Sequence, residues 1–152
     1  LSVLLTVALG PGLIINGILK PHFGRPRPRQ TIMFGGEFEY LPVLVPGPNE
    51  NCRSFAGGDS SMGFAFLIFY FMYRRRRRAI ARGWLALSIV LGMTIGLGRM
   101  AAGAHFLSDI LWSGYICYLV ALATYYFALR IPTRENCRSA SVPNSPRPSS
   151  FN

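Results

Sequence analysis

Residues 1–19 contain no charged side chain, and as a helix that run would rise about 28 Å, close to the roughly 30 Å hydrocarbon thickness of a bilayer. A second uncharged run, of 20 residues, covers 110–129, and two shorter ones, 60–73 and 83–97, flank five consecutive arginines at 74–78. The pattern predicts an all-α integral membrane helix bundle with four transmembrane helices, the middle two joined as a hairpin through the arginine turn. Block 60–73 has only 14 residues and would fit a buried soluble helix as well; its flanks decide for a span. With 51% hydrophobic and 14% charged residues and a mean hydropathy of +0.31, the chain is too apolar for an ordinary soluble domain. Despite a net charge of +10, the same apolar half excludes disorder driven by charge.

At 152 residues the chain has the length of one domain, expected over 1–131, with a Ser/Pro/Asn-rich, disordered cytoplasmic tail over 132–152. Gly10, Pro11 and Gly12 predict a kink in the first helix. The chain opens inside an apolar stretch with no basic segment or cleavage site, so residue 1 is expected to be the cut edge of a longer protein. Cys52, Cys117 and Cys137 form neither a disulfide framework nor a metal-binding spacing.

Short basic loops stay in the cytoplasm, which places the 74–82 turn and the tail inside. Crossing parity then brings Lys20, Asp59, Gly98 and His105 to the extracytoplasmic face. The loop over 20–58 breaks the simple charge rule, because it carries Lys20, Arg25, Arg27, Arg29 and Arg53 against Glu37, Glu39 and Glu50. An anionic substrate would explain a translocated basic loop, since guanidinium forks match phosphate oxygens; contact with anionic headgroups is the simpler competitor.

Both histidines described by this topology, His22 and His105, fall at that outer face. His105 is the sharper candidate: Asp109 follows at i+4, where a carboxylate can orient an imidazole and support its charged form. The competing reading makes them interfacial polar residues satisfied by water and headgroups. Arg99 adds a cation six residues earlier, and Asp59 is a second carboxylate opening a helix at this face. In the run KPHFGRPRPR, Pro21, Pro26 and Pro28 prevent helix and hold the cations at a stiff spacing.

These residues resemble the type 2 phosphatidic acid phosphatase superfamily, which also includes the vanadium haloperoxidases and is defined by K-x6-R-P, P-S-G-H and S-R-x5-H-x3-D. Lys20, Arg27 and Pro28 match the first motif, and Arg99, His105 and Asp109 match the third with both gaps intact. Gly98 stands where the family usually has Ser. The second motif departs further: Ala56, Gly57, Gly58 and Asp59 stand in place of P-S-G-H.

The resemblance implies that His105 attacks phosphorus to form a phosphohistidine while Asp109 orients it. It also implies that Lys20, Arg27 and Arg99 neutralise the phosphoryl oxygens, with backbone N–H groups of Gly57 and Gly58 as further donors. No metal or other cofactor is required. Asp59 stands where the family has the histidine that protonates the leaving oxygen, a role a carboxylate fills poorly at neutral pH. Three consequences stay open: a leaving group that needs little protonation, a role for Asp59 in water attack on the intermediate, or loss of activity.

The implied partners are a phosphorylated lipid and the bilayer, with the protein in a bacterial inner membrane and its site on the periplasmic face. Candidate substrates are phosphatidate, phosphatidylglycerophosphate, polyprenyl diphosphate or lipid A, with a lean to the last two. The family's membrane members usually have six spans, which implies two spans ahead of residue 1. A non-catalytic phospholipid-binding protein of the same fold is the main alternative, and a haloperoxidase the third. The arginine run reads as a topology determinant rather than a nucleic-acid contact. The aromatics from Phe64 to Tyr73 and around Tyr125 read as lipid-facing and interfacial. The segment over 34–51 is either a lid or a passive connection.

Overall fold

The computed structural model describes residues 2–47 and 52–128; the expected tail lies outside them. The first apolar run forms helix α1 (Ser2–Val7), continues with wider π-helical winding over Ala8–Leu19, and closes in α2 (Lys20–Phe23). Pro11 inside this rod has no N–H to give. Its carbonyl is met by the Asn16 side-chain amide at 2.6 Å, an arrangement that goes with the altered winding. Gly24 ends α2 in the left-handed region at φ 50°, a conformation favourable for glycine.

Two further long helices follow, α5 (Arg78–Ala101) and α6 (Leu107–Ala123), the latter extended by a π-helical turn over Thr124–Ala128. Between them in sequence and the first rod lie two short ones, α3 (Gly58–Phe64) and α4 (Leu67–Tyr73). Among the described residues three helical rods are long and apolar enough to cross a membrane: Val3–Gln30, Arg78–Ala101 and Leu107–Phe127.

The expected four transmembrane helices are therefore corrected to three. The block over 60–73 breaks at Ala65 and Phe66 into helices of 7 residues each, about 10 Å apiece and too short to span. At the break, Ile68 and Phe69 donate to Ala65 and Phe66, three residues back, at 3.4 and 3.0 Å. The buried Ser88 hydroxyl of α5 lies 3.1 and 3.2 Å from the carbonyls of Gly63 and Phe64, offering them a donor from outside the helix.

Close packing explains why these short helices sit at the centre. A Cβ at Gly63 would stand 2.5 Å from the Gly92 backbone nitrogen, and one at Gly92 would enter the Phe64 ring. The buried residues of α5 are Ala81, Ser88, Gly92 and Gly96, a stripe of small side chains that lets neighbouring backbones approach. Its other faces expose Leu87, Val90, Ile95 and Leu97, as suits a helix facing hydrocarbon. The core collects Ile15, Phe55, Phe64, Ile68, Phe71, Ile110 and Tyr125. Phe64, Phe71 and Tyr125, expected to face lipid, are thus core residues, while Phe66 and Phe69 stack on Trp84 with centroids 6.3 and 4.4 Å away. At the arginine turn, the Arg74 guanidinium lies over the rings of Phe71 and Tyr125, 5.3 Å from each centroid, and donates to the Tyr126 hydroxyl.

Candidate active site

The ends of α2, α3, α5 and α6 converge on one end of the bundle, and the proline-rich run after α2 crosses them. Arg29 N–H donates to the Gly103 carbonyl at 3.2 Å, tying that run to the turn between α5 and α6. His105 lies in this turn, buried. Its Nδ1 is 2.8 Å from the Ser54 carbonyl oxygen. A carbonyl has no proton to donate, so Nδ1 carries the hydrogen and the neutral ring keeps its lone pair on Nε2. Nε2 faces Asp59, whose Oδ2 is 3.9 Å away.

Asp59, the second residue of α3, is half exposed and accepts from Arg99 Nε at 2.8 Å. Lys20 stands beside them: its Nζ donates to Asn16 Oδ1 at 3.0 Å, and the charges of Asp59, Arg27, Arg99 and Arg53 all act on its ammonium. Gly58 makes room for this pair, because a Cβ there would sit 2.6 Å from Asn16 Oδ1 and 2.9 Å from Lys20 Nζ. The structure thus brings Lys20, Arg27, Asp59, Arg99 and His105 into one electrostatic neighbourhood. Gly57 has a different engagement, its N–H donating to the Asp109 carbonyl at 3.3 Å. His22 lies apart from the group, its Nδ1 2.6 Å from the Ile18 carbonyl on the exposed side of the first rod.

Asp109 is fully buried in the first turn of α6. Its Oδ2 accepts from Ser54 Oγ at 2.7 Å and from the Phe106 N–H at 3.0 Å, and lies 3.9 Å from His105 Nδ1. Its Oδ1 accepts from Arg25, which is equally buried. Arg25 donates in addition to the Leu41 carbonyl at 2.9 Å and Ser108 Oγ at 3.1 Å, and its guanidinium lies 4.5 Å from the Phe106 ring centroid. A buried ion pair survives only when its remaining donors and acceptors are met, and here they are. Arg25 therefore locks the loop that follows α2 to the helix that carries Asp109, rather than standing with the exposed cations of its run.

Three contributors escape a reading by motif. Ser54 contributes both its hydroxyl and its carbonyl, and no sequence feature marks it. Arg25 meets Asp109 across 84 positions of chain, a pairing without local signature. Asn16 carried a signal: it is an amide inside an apolar run, four residues before Lys20. Among the described residues no group of three or more His, Cys, Asp or Glu side chains is arranged to hold a metal ion.

Comparison with known proteins places the sequence in a family. The sequence profile of the PAP2 superfamily matches residues 1–132. A lipid A 4'-phosphatase of Francisella tularensis subsp. novicida (strain U112) is 36% identical over 124 residues, covering 80% of this chain and 54% of the relative. Proteins of the same name from Rhizobium leguminosarum and Rhizobium etli are each 36% identical, over 120 and 117 residues, covering 78% and 76% of this chain and 49% and 44% of their own lengths. The chain spans about half the length of these curated relatives. No solved structure matches it. By the match over residues 1–132 the chain belongs to the PAP2 superfamily.

Proposed function

We propose that this chain is the catalytic part, over residues 1–131, of a membrane lipid phosphatase that works through a phosphohistidine on His105. The observation that carries the proposal is the tautomer held by Ser54, which leaves the Nε2 lone pair facing Asp59 and, beside it, Arg99. In this reading Nε2 attacks phosphorus, and the bond from phosphorus to the lipid oxygen breaks with its electron pair leaving on that oxygen. Lys20, Arg27 and Arg99 offset the charge on the phosphoryl oxygens, and the Gly58 N–H is a further donor. Water then attacks phosphorus, the bond to nitrogen breaks, and phosphate and neutral His105 are released.

Asp109 acts through position, with its carboxylate held by Arg25 and Ser54 beneath the imidazole. Asp59 has two uses in this scheme. It is the ion-pair partner of Arg99, and once a phosphate takes its place on Arg99 it can accept the proton of the attacking water. The first step then runs best with a leaving oxygen that needs little protonation, as in polyprenyl diphosphate. Lipid A is favoured on other grounds, the activity for which the three relatives are named, and its sugar oxygen would take its proton from water and not from Asp59. The site faces the periplasm in this reading, supported by the arginine turn at the other end of the bundle.

The test is phosphate release by the full-length protein in membranes from a panel of lipid monophosphates and diphosphates, beside His105→Ala. Release abolished in the variant is the expected result. A second reading, a phospholipid-binding protein without turnover, draws on the Asp59–Arg99 ion pair, which occupies an anion clamp with the protein's own carboxylate. Release no greater than that of the variant across the panel would favour it.

A further inference from the structure

A cavity of about 510 Å³ opens against His105, and none of Lys20, Arg27, Asp59 or Arg99 lines it. It borders the turn that carries His105. Its walls are largely apolar, with Phe34 of the outer loop, Met100 at the end of α5 and Leu107 at the start of α6, all three exposed. One cation stands in the wall, Arg29. Its backbone is pinned to Gly103, two residues before His105. Gly103 adopts φ +63°, and a Cβ there would meet the Arg29 Cβ at 3.1 Å, so the two chain segments are in close contact. The Arg29 backbone is thus fixed on the turn that carries His105.

We propose that this cavity is a second subsite, which takes the part of the substrate beyond the reacting phosphate and selects lipids bearing a second anionic group. The inference rests on the phosphatase reading for its orientation. In-line attack by Nε2 sends the ester substituent to the side of phosphorus opposite the nitrogen, so the rest of the lipid must continue along the protein past the clamp. This cavity, bordered by Pro28 and Met100, the chain neighbours of Arg27 and Arg99, is an apolar-walled space beside it. An apolar wall with one cation matches an amphiphile whose second anion lies close to its hydrocarbon. Arg29 carries the selection, while Phe34, Met100 and Leu107 supply contact that any acyl lipid can use.

The test compares phosphatidylglycerophosphate with phosphatidate of the same acyl chains, since both end in a phosphomonoester and the former adds a phosphodiester anion. Full-length protein in nanodiscs is assayed for turnover of each lipid. Binding of each is measured separately by native mass spectrometry in a His105→Gln background, where bound lipid is not consumed. Arg29→Gln is expected to lower the preference for phosphatidylglycerophosphate about fivefold in the binding ratio, the scale of one accessible charge contact, and Arg29→Lys to restore most of it. A binding ratio within twofold of the parent's would overturn the subsite. If neither lipid nor any other panel member is turned over while the binding ratio falls, the subsite stands and the phosphatase reading fails.

Discussion

At the scale of single residues, the candidate site depends on a buried pair of which a motif names only Asp109. Arg25 and Asp109 are removed from water together, and deleting one partner strands the charge of the other. Arg25→Met is expected to destabilise the protein by about 3–5 kcal/mol, read as a fall in the unfolding temperature of the detergent-solubilised protein. Arg25→Met combined with Asp109→Leu should recover part of that stability without recovering activity. Ser54 separates two functions in one residue. Ser54→Ala removes the hydroxyl bond to Asp109, at a cost of about 1–3 kcal/mol, yet keeps the carbonyl that sets the His105 tautomer. Activity per folded molecule should then fall far less than in His105→Ala; an equal fall would contradict a tautomer set by the carbonyl.

Asp59 is the residue at which the site departs most from its family. Asp59→His should raise the rate on a phosphomonoester with an alkoxide leaving group, while Asp59→Asn should lower the rate of every substrate by about tenfold or more. Equal rates in parent and both variants would show that Asp59 moves no proton. The sequence makes Asp59, Arg99, His105 and Lys20 legible as one site because spacing and span parity both refer to helix ends. Ser54, which acts partly through its backbone, and Arg25, whose partner lies 84 positions away, cannot be read from spacing.

Among elements, the contact of α3 with α5 is the most exacting. Gly63→Ala puts a methyl group against the Gly92 backbone, which cannot yield as a side chain end would. A loss of about 1–3 kcal/mol is expected. Gly83→Ala, on the same α5, meets nothing within 4 Å and should be neutral or stabilising by up to about 1 kcal/mol. Thermal unfolding of the two variants side by side checks the contrast; equal losses would contradict close packing as the cause. The first and last rods were legible because uncharged length is itself the physical requirement for crossing a bilayer; α5, whose uncharged run over 83–97 is little longer than 60–73, is legible only through its arginine flank. The split of 60–73 was not, because it follows from a tertiary event: Ser88, on another helix, stands ready for the carbonyls at the break.

For the whole molecule, the proposed site and the arginine turn occupy opposite ends of the bundle, and the account needs them on opposite sides of the membrane. In a background with the three cysteines replaced by serine, Glu37→Cys in the outer loop should react with a membrane-impermeant maleimide in cells whose inner membrane is intact. Arg76→Cys should react only after that membrane is opened. The central claim, however, is covalent: phosphorus passes from lipid to Nε2 of His105. Rapid quenching of the full-length protein during turnover of a phosphorylated lipid, with the phosphopeptides mapped under alkaline conditions that preserve phosphohistidine, tests it most directly. The account predicts an acid-labile phosphoryl group on the peptide containing His105. Turnover that proceeds with the phosphoryl group on another residue, or with undiminished release from His105→Ala, would contradict it.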